Sequence, residues 1–82
     1  MLKVYGSMLC KDCVQCRKAF DKLGVEYVYL DFADSLQNLK DFLKLREDPA
    51  FDEIKRNGAI GIPCIQREDG SFGFRWQDFV QR

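Results

Sequence analysis

Apolar and polar residues along the first third of the chain change period once. The run Leu2-Lys3-Val4-Tyr5 reads as a short strand that Gly6-Ser7 breaks, and a loop through Met8 and Leu9 delivers Cys10. From Lys11 onward the apolar positions fall at Cys13, Cys16, Ala19, Phe20 and Leu23, one face of a helix. Gly24, just past the last periodic residue, predicts where that helix stops. Val25 to Leu30 is rich in β-branched and aromatic residues and reads as a second strand. Two strands joined through a helix should pair in parallel by a right-handed crossover.

Asp34, with Gln37 three residues on, is the expected N-cap of a second helix carrying Leu36, Leu39, Phe42 and Leu43 and ending near Arg46. Asp48-Pro49 starts a further short helix, anchored by Phe51 and Ile54 and stopped by Asn57-Gly58. Ala59 to Pro63 is a non-helical approach to a third strand, Cys64 to Arg67. Glu68-Asp69-Gly70 predicts a turn, and Ser71 to Phe74 then pairs back as a hairpin. Arg75 to Gln81 is expected to form a terminal helix that buries Trp76, Phe79 and Val80. The order β-α-β-α-α-β-β-α predicts a small α/β domain with a four-stranded mixed sheet flanked by helices, spanning residues 1–82.

Composition narrows the chemistry. At 82 residues and 46% hydrophobic, with seven Phe, the chain suffices for one domain with a core of its own. Thirteen basic and thirteen acidic residues leave no basic footprint for nucleic acid. No apolar run reaches the roughly 18 residues of a membrane span, and residues 1–10 lack the apolar core of a signal peptide. The expected compartment is the cytoplasm, where thiols stay reduced, and the expected state is a monomer. With no His, imidazole catalysis and His ligation are excluded.

Chemistry therefore rests on four cysteines, three of them in Cys10-Lys11-Asp12-Cys13-Val14-Gln15-Cys16. Two C-x-x-C pairs overlap there, Cys10/Cys13 and Cys13/Cys16. A sulfur at the first turn of a helix faces unpaired N–H groups and the positive dipole end, which favour the nucleophilic thiolate. Cys10 sits at that position, and Cys13 lies one turn on, within reach as a resolving thiol. Lys11 favours a thiolate and Asp12 opposes it. Cys16 lies deeper in the helix on its apolar stripe, as a core filler, a third exchanging thiol or a metal ligand. Cys64 follows Ile62-Pro63 and reads as a core strand residue.

These residues resemble the glutaredoxin family. A Tyr ends that family's first strand five residues before the first active cysteine, as Tyr5 precedes Cys10. A Gly plus an apolar residue follows the second cysteine by eleven, as Gly24-Val25 follows Cys13. Ile62-Pro63-Cys64-Ile65 matches the family's cis-proline loop, and Gly73 falls where it has a glycine pair before the last helix. The resemblance implies a thioredoxin-like fold, an active pair of Cys10 and Cys13, and a cis bond before Pro63. It also implies a substrate or glutathione site made by Lys11, Ile62, Pro63, Gly73, Phe74 and Arg75; Cys16 and Cys64 are candidate accessory thiols on their position alone. Departures are Lys11-Asp12 in place of the usual Pro-Tyr, Ser7 where a basic residue is frequent, and Phe74 for the second glycine. Cys13-Val14-Gln15-Cys16 and Gly73-Phe74-Arg75 also resemble the redoxins that serve ribonucleotide reductase and are reduced by thioredoxin reductase.

The implied activity is thiol–disulfide exchange on disulfide-containing proteins or glutathione mixed disulfides. It needs no bound cofactor, with glutathione or thioredoxin reductase as electron source and no metal at the site. The alternative from a different class is a zinc or iron–sulfur centre held by Cys10, Cys13 and Cys16, with Cys64 closing a fourth position. A redox-inert binding domain on the same fold is the third reading.

Overall fold

The computed structural model describes residues 1–80 and builds one mixed sheet from β1 (Leu2–Gly6), β2 (Tyr27–Asp31), β3 (Cys64–Gln66) and β4 (Phe72–Gly73). The strand order is β2-β1-β3-β4. β1 pairs in parallel with β2 and antiparallel with β3, and β3 pairs antiparallel with β4. Three α-helices accompany it: α1 (Lys11–Leu23), α2 (Leu36–Leu45) and α3 (Asp52–Arg56). The molecule is thus a compact α/β protein with the parallel pair and the hairpin that the pattern predicts.

Strand alternation divides the core in two. Val4 and its cross-strand partner Ile65 face α1 and pack with Cys16 and Phe20. The next pair, Tyr5 and Cys64, face the opposite side and pack with Phe42 of α2 and Phe51. All of these are buried, so the paired residues Val4–Ile65 and Tyr5–Cys64 of the central strands fill the two clusters in alternation. At roughly 1.5–3 kcal/mol for each large side chain removed from water, these two clusters supply the main drive for folding.

Several element ends differ from expectation for local reasons. α1 ends at its C-cap Gly24 as predicted, with φ 71°, but the Val25 amide returns to the Phe20 carbonyl at 2.9 Å, which ties Val25 to the helix end, and β2 begins at Tyr27. Ser35, not Asp34, caps α2, its hydroxyl accepting from the Gln37 amide at 3.1 Å. The Asp34 amide is spent on a turn to the Asp31 carbonyl at 3.1 Å. Asp48 caps the next segment, which runs as a 3-10 turn over Pro49–Phe51 before α3. β3 stops at Gln66 because the Arg67 amide closes the hairpin on the Ser71 carbonyl at 2.8 Å. The predicted last helix is a 3-10 turn over Trp76–Phe79, and Gln81 lies outside the described residues. A three-residue period eclipses Trp76 and Phe79, which lets both rings pack on the α1-side core. No helix among the described residues is long and apolar enough to cross a membrane.

Candidate active site

Cys10 is the residue at which the loop becomes helix. Its backbone is extended (φ −97°, ψ 122°), and its carbonyl accepts the first helical bond, from the Val14 amide at 3.1 Å. Ser7 organises the loop before it: its carbonyl accepts from the Cys10 amide at 3.0 Å and its hydroxyl from the Leu9 amide at 3.1 Å. No side chain caps α1, so its first amides remain available to a negative charge at the helix start. The Cys10 sulfur is half-buried and lies 3.9 Å from the Ile62 carbonyl oxygen. The Ile62–Pro63 peptide is cis.

Cys13 is one turn behind and fully buried. Burial pushes its thiol up to about 12, the neighbouring Cys10 adds to the rise, and the Ser7 backbone and the Tyr29 hydroxyl oppose it. The remaining two cysteines are separated by the sheet. Cys16 is in the α1-side cluster with Val4, Phe20 and Ile65, and burial raises its thiol to about 11. Cys64 is in the opposite cluster with Tyr5, Phe42 and Phe51, and burial raises its thiol to about 12. All four are free thiols.

That separation corrects the four-thiolate metal alternative. Cys16 packs from α1 onto one face of the sheet and Cys64 projects from the other, so the two do not share an ion. Among the described residues no three Cys, Asp or Glu side chains converge in a way that would hold a metal.

Two grooves flank Cys10. One, of about 360 Å³, runs between Asp12 and Gln15 of α1, the Ile62-Pro63 loop, and Phe74 and Arg75. The other, of about 450 Å³, is apolar and includes Cys10 itself, with Leu9, Phe32, Ile60 and Ile62. Leu9 is 97% exposed and Ile60 56% exposed, so this side of Cys10 offers apolar surface to solvent. The implied binding set is therefore brought together only in part. Ile62, Pro63, Phe74 and Arg75 line the first groove, but Lys11 is exposed and lines neither, its place taken by Asp12 and Gln15. Gly73 is not in the lining either: it pairs with Ile65, and a Cβ there would sit 3.2 Å from the Phe79 ring.

Three supporting residues escape sequence reasoning. Arg46 donates from Nε to the Ile60 carbonyl and from Nη2 to the Ala59 carbonyl, both at 2.9 Å, and so anchors the approach to Pro63. Nothing local marks it apart from any basic residue at a helix end. Gly61 has φ 96°, and a Cβ there would lie 2.7 Å from Phe51 Cε2. Gly6, read as a strand breaker, instead completes β1 opposite Asp31 and leaves room for the Cys13 sulfur, which would lie 2.7 Å from a Cβ at that position.

A protein of Haemophilus influenzae, described as an uncharacterized protein, is 40% identical over 62 residues, covering 74% of this chain and 72% of its own length. No family model and no solved structure matches the chain.

Proposed function

This chain belongs to one family with the Haemophilus influenzae protein, and we propose that it is a thiol–disulfide oxidoreductase of glutaredoxin type with a thioredoxin-like fold. The observation that carries the reading is the asymmetry of one pair of thiols. Cys10 is accessible at the uncapped start of α1, whereas Cys13 is sealed directly behind it. An exchange site needs an attacker that substrate can reach and a resolver that it cannot.

In the reaction the Cys10 thiolate attacks one sulfur of a substrate disulfide. The substrate S–S bond breaks, a Cys10–substrate bond forms, and the departing sulfur takes the electron pair and a proton. Cys13 then attacks the Cys10 sulfur, the substrate's second sulfur leaves as a thiol, and a Cys10–Cys13 disulfide remains. Two electrons have passed from the protein to the substrate. Glutathione or thioredoxin reductase restores the dithiol. The groove between Asp12 and Arg75 suits a small zwitterionic peptide, with one charge of each sign at its wall. The apolar groove beside Cys10 suits a protein segment instead, so both substrate classes have a matching surface.

Cys10→Ser should reduce turnover of a model disulfide to background. The assay is run in parallel with glutathione plus its reductase and with thioredoxin reductase as electron source. Full activity of the variant, or no activity of the unmodified protein with either source, would overturn the assignment.

A further inference from the structure

Among the described residues, Tyr29 carries the one buried side-chain oxygen or nitrogen without a hydrogen-bond partner, its hydroxyl. Buried hydroxyls are almost always paired, so an orphan requires an explanation. Tyr29 stands on β2 beside Val4 of β1, on the α1 side of the sheet. Its oxygen and the Cys13 sulfur crowd one small space: a Cβ on Gly6 would lie 2.9 Å from the first and 2.7 Å from the second. The ring is held from the other side by the Arg17 guanidinium, 4.5 Å from its centroid, and Arg17 Nη1 approaches Met8 Sδ at 3.5 Å. A fixed ring therefore aims an unpartnered donor at the sulfur behind the accessible thiol.

We propose that Tyr29 serves the second half of the exchange, its hydroxyl donating a hydrogen bond to the Cys13 sulfur when that sulfur becomes the attacking thiolate. The inference rests on the Cys10/Cys13 reading given above. It accounts for the orphan: a neutral thiol is a weak acceptor, and a thiolate is a strong one. In the step itself the Cys13 proton passes to solvent and the thiolate attacks Cys10. The Cys10–substrate bond breaks, and the leaving sulfur takes the electron pair and a proton. Tyr29 stays protonated throughout. Burial, reinforced by the nearby Cys13 and Asp31, holds its phenol well above the ordinary value, so it remains a donor across the working pH range. The titratable and charged groups facing the pair are Cys10 at the start of α1, Arg17 farther along it, and Asp31 at the end of β2.

The test is rapid mixing of the reduced protein with an aromatic disulfide whose released thiolate absorbs light. Attack by Cys10 releases the first thiolate and attack by Cys13 the second. Tyr29→Phe keeps the ring and the Arg17 contact and removes only the donor. The first phase should be unchanged, and the second should slow about tenfold, the effect of one charge-assisted hydrogen bond. The pH midpoint of the second phase should also rise, because the thiolate has lost a stabilising donor. In a Cys13→Ser background the first phase should be the same with Tyr or Phe at position 29. An unaltered second phase, or equal slowing of both phases, would overturn the inference while leaving the exchange reading intact. Absence of both phases in the unmodified protein would overturn the exchange reading, and this inference with it.

Discussion

The two faces of the sheet are filled by different materials. On the α2 side six aromatic pairs have centroids within 6.1 Å of each other: Tyr5 and Phe32 on Phe42, Phe42 on Phe51, Phe51 on Phe72 and Phe74, and Phe72 on Phe74. On the α1 side the layer nearest the site is built from Gly6, Cys13 and Cys16, with the Tyr29 hydroxyl reaching in from β2. Aromatic rings bring large buried area and fixed geometry. Small residues and sulfur leave α1 close to the sheet, so that one thiol is sealed and the next reaches solvent. The first face holds Gly61 of the Pro63 loop against Phe51, and the second face carries the Cys10/Cys13 pair to which the exchange chemistry is proposed to belong.

Truncation should expose that difference most strongly. Phe51→Ala removes the ring at the centre of the aromatic cluster and should cost about 3–5 kcal/mol in denaturant unfolding. Cys16→Ala, in the opposite cluster, loses a single sulfur and should cost only about 1 kcal/mol, with exchange activity retained. Equal losses would erase the contrast between the faces.

A smaller effect sharpens it. Gly6→Ala should cost about 1–3 kcal/mol by overpacking, since the added methyl meets the Cys13 sulfur and the Tyr29 oxygen at under 3 Å. The same change should slow the second phase of exchange more than the first. A stable variant with normal kinetics would show that the space over Gly6 is not shared as described.

The mildest effect is on the pH dependence of stability. Burial raises Cys13 and Cys64 to about 12 and Cys16 to about 11, from an ordinary value of 9.0. The folded protein then holds these protons more tightly than the unfolded chain. Their contribution is fully present below about pH 9 and is lost as pH rises toward 11 to 12. Melting temperature under reducing conditions should therefore be flat up to about pH 9 and fall above it. Replacing Cys13 and Cys16 together should relieve more of the fall than replacing Cys64, because two of the three thiols lie on the α1 face.

Much of this was legible in the sequence, and unevenly so. Period alone located α1, since Cys13, Cys16 and Phe20 can all be buried on only one helix face. Only through the resemblance to glutaredoxins did the spacings from Tyr5 and to Gly24 favour Cys10 with Cys13 over the overlapping pair; Cys10 stands at the start of α1 and Cys13 one turn behind it. Helix and strand ends were less readable, because competing local bonds decided them: Ser35 outcompeted Asp34 as a cap, and Val25 was drawn into the end of α1. Contacts between distant segments were not readable at all. Arg46 reaching the carbonyls at 59 and 60, and Tyr29 meeting Cys13 over Gly6, depend on how α2 and β2 pack rather than on any local pattern.

The central claim, that Cys10 and Cys13 form the redox pair, has a direct readout in the sequence itself. Lys11 lies between them and Arg17 follows Cys16. Trypsin thus places Cys10 on one peptide and Cys13 with Cys16 on the next. After the reduced protein has turned over one equivalent of a model disulfide and free thiols have been blocked, mass spectrometry under non-reducing conditions should find the two peptides joined through Cys10 and Cys13, with Cys16 alkylated once the protein is unfolded. A disulfide closed within the second peptide, between Cys13 and Cys16, would contradict the account.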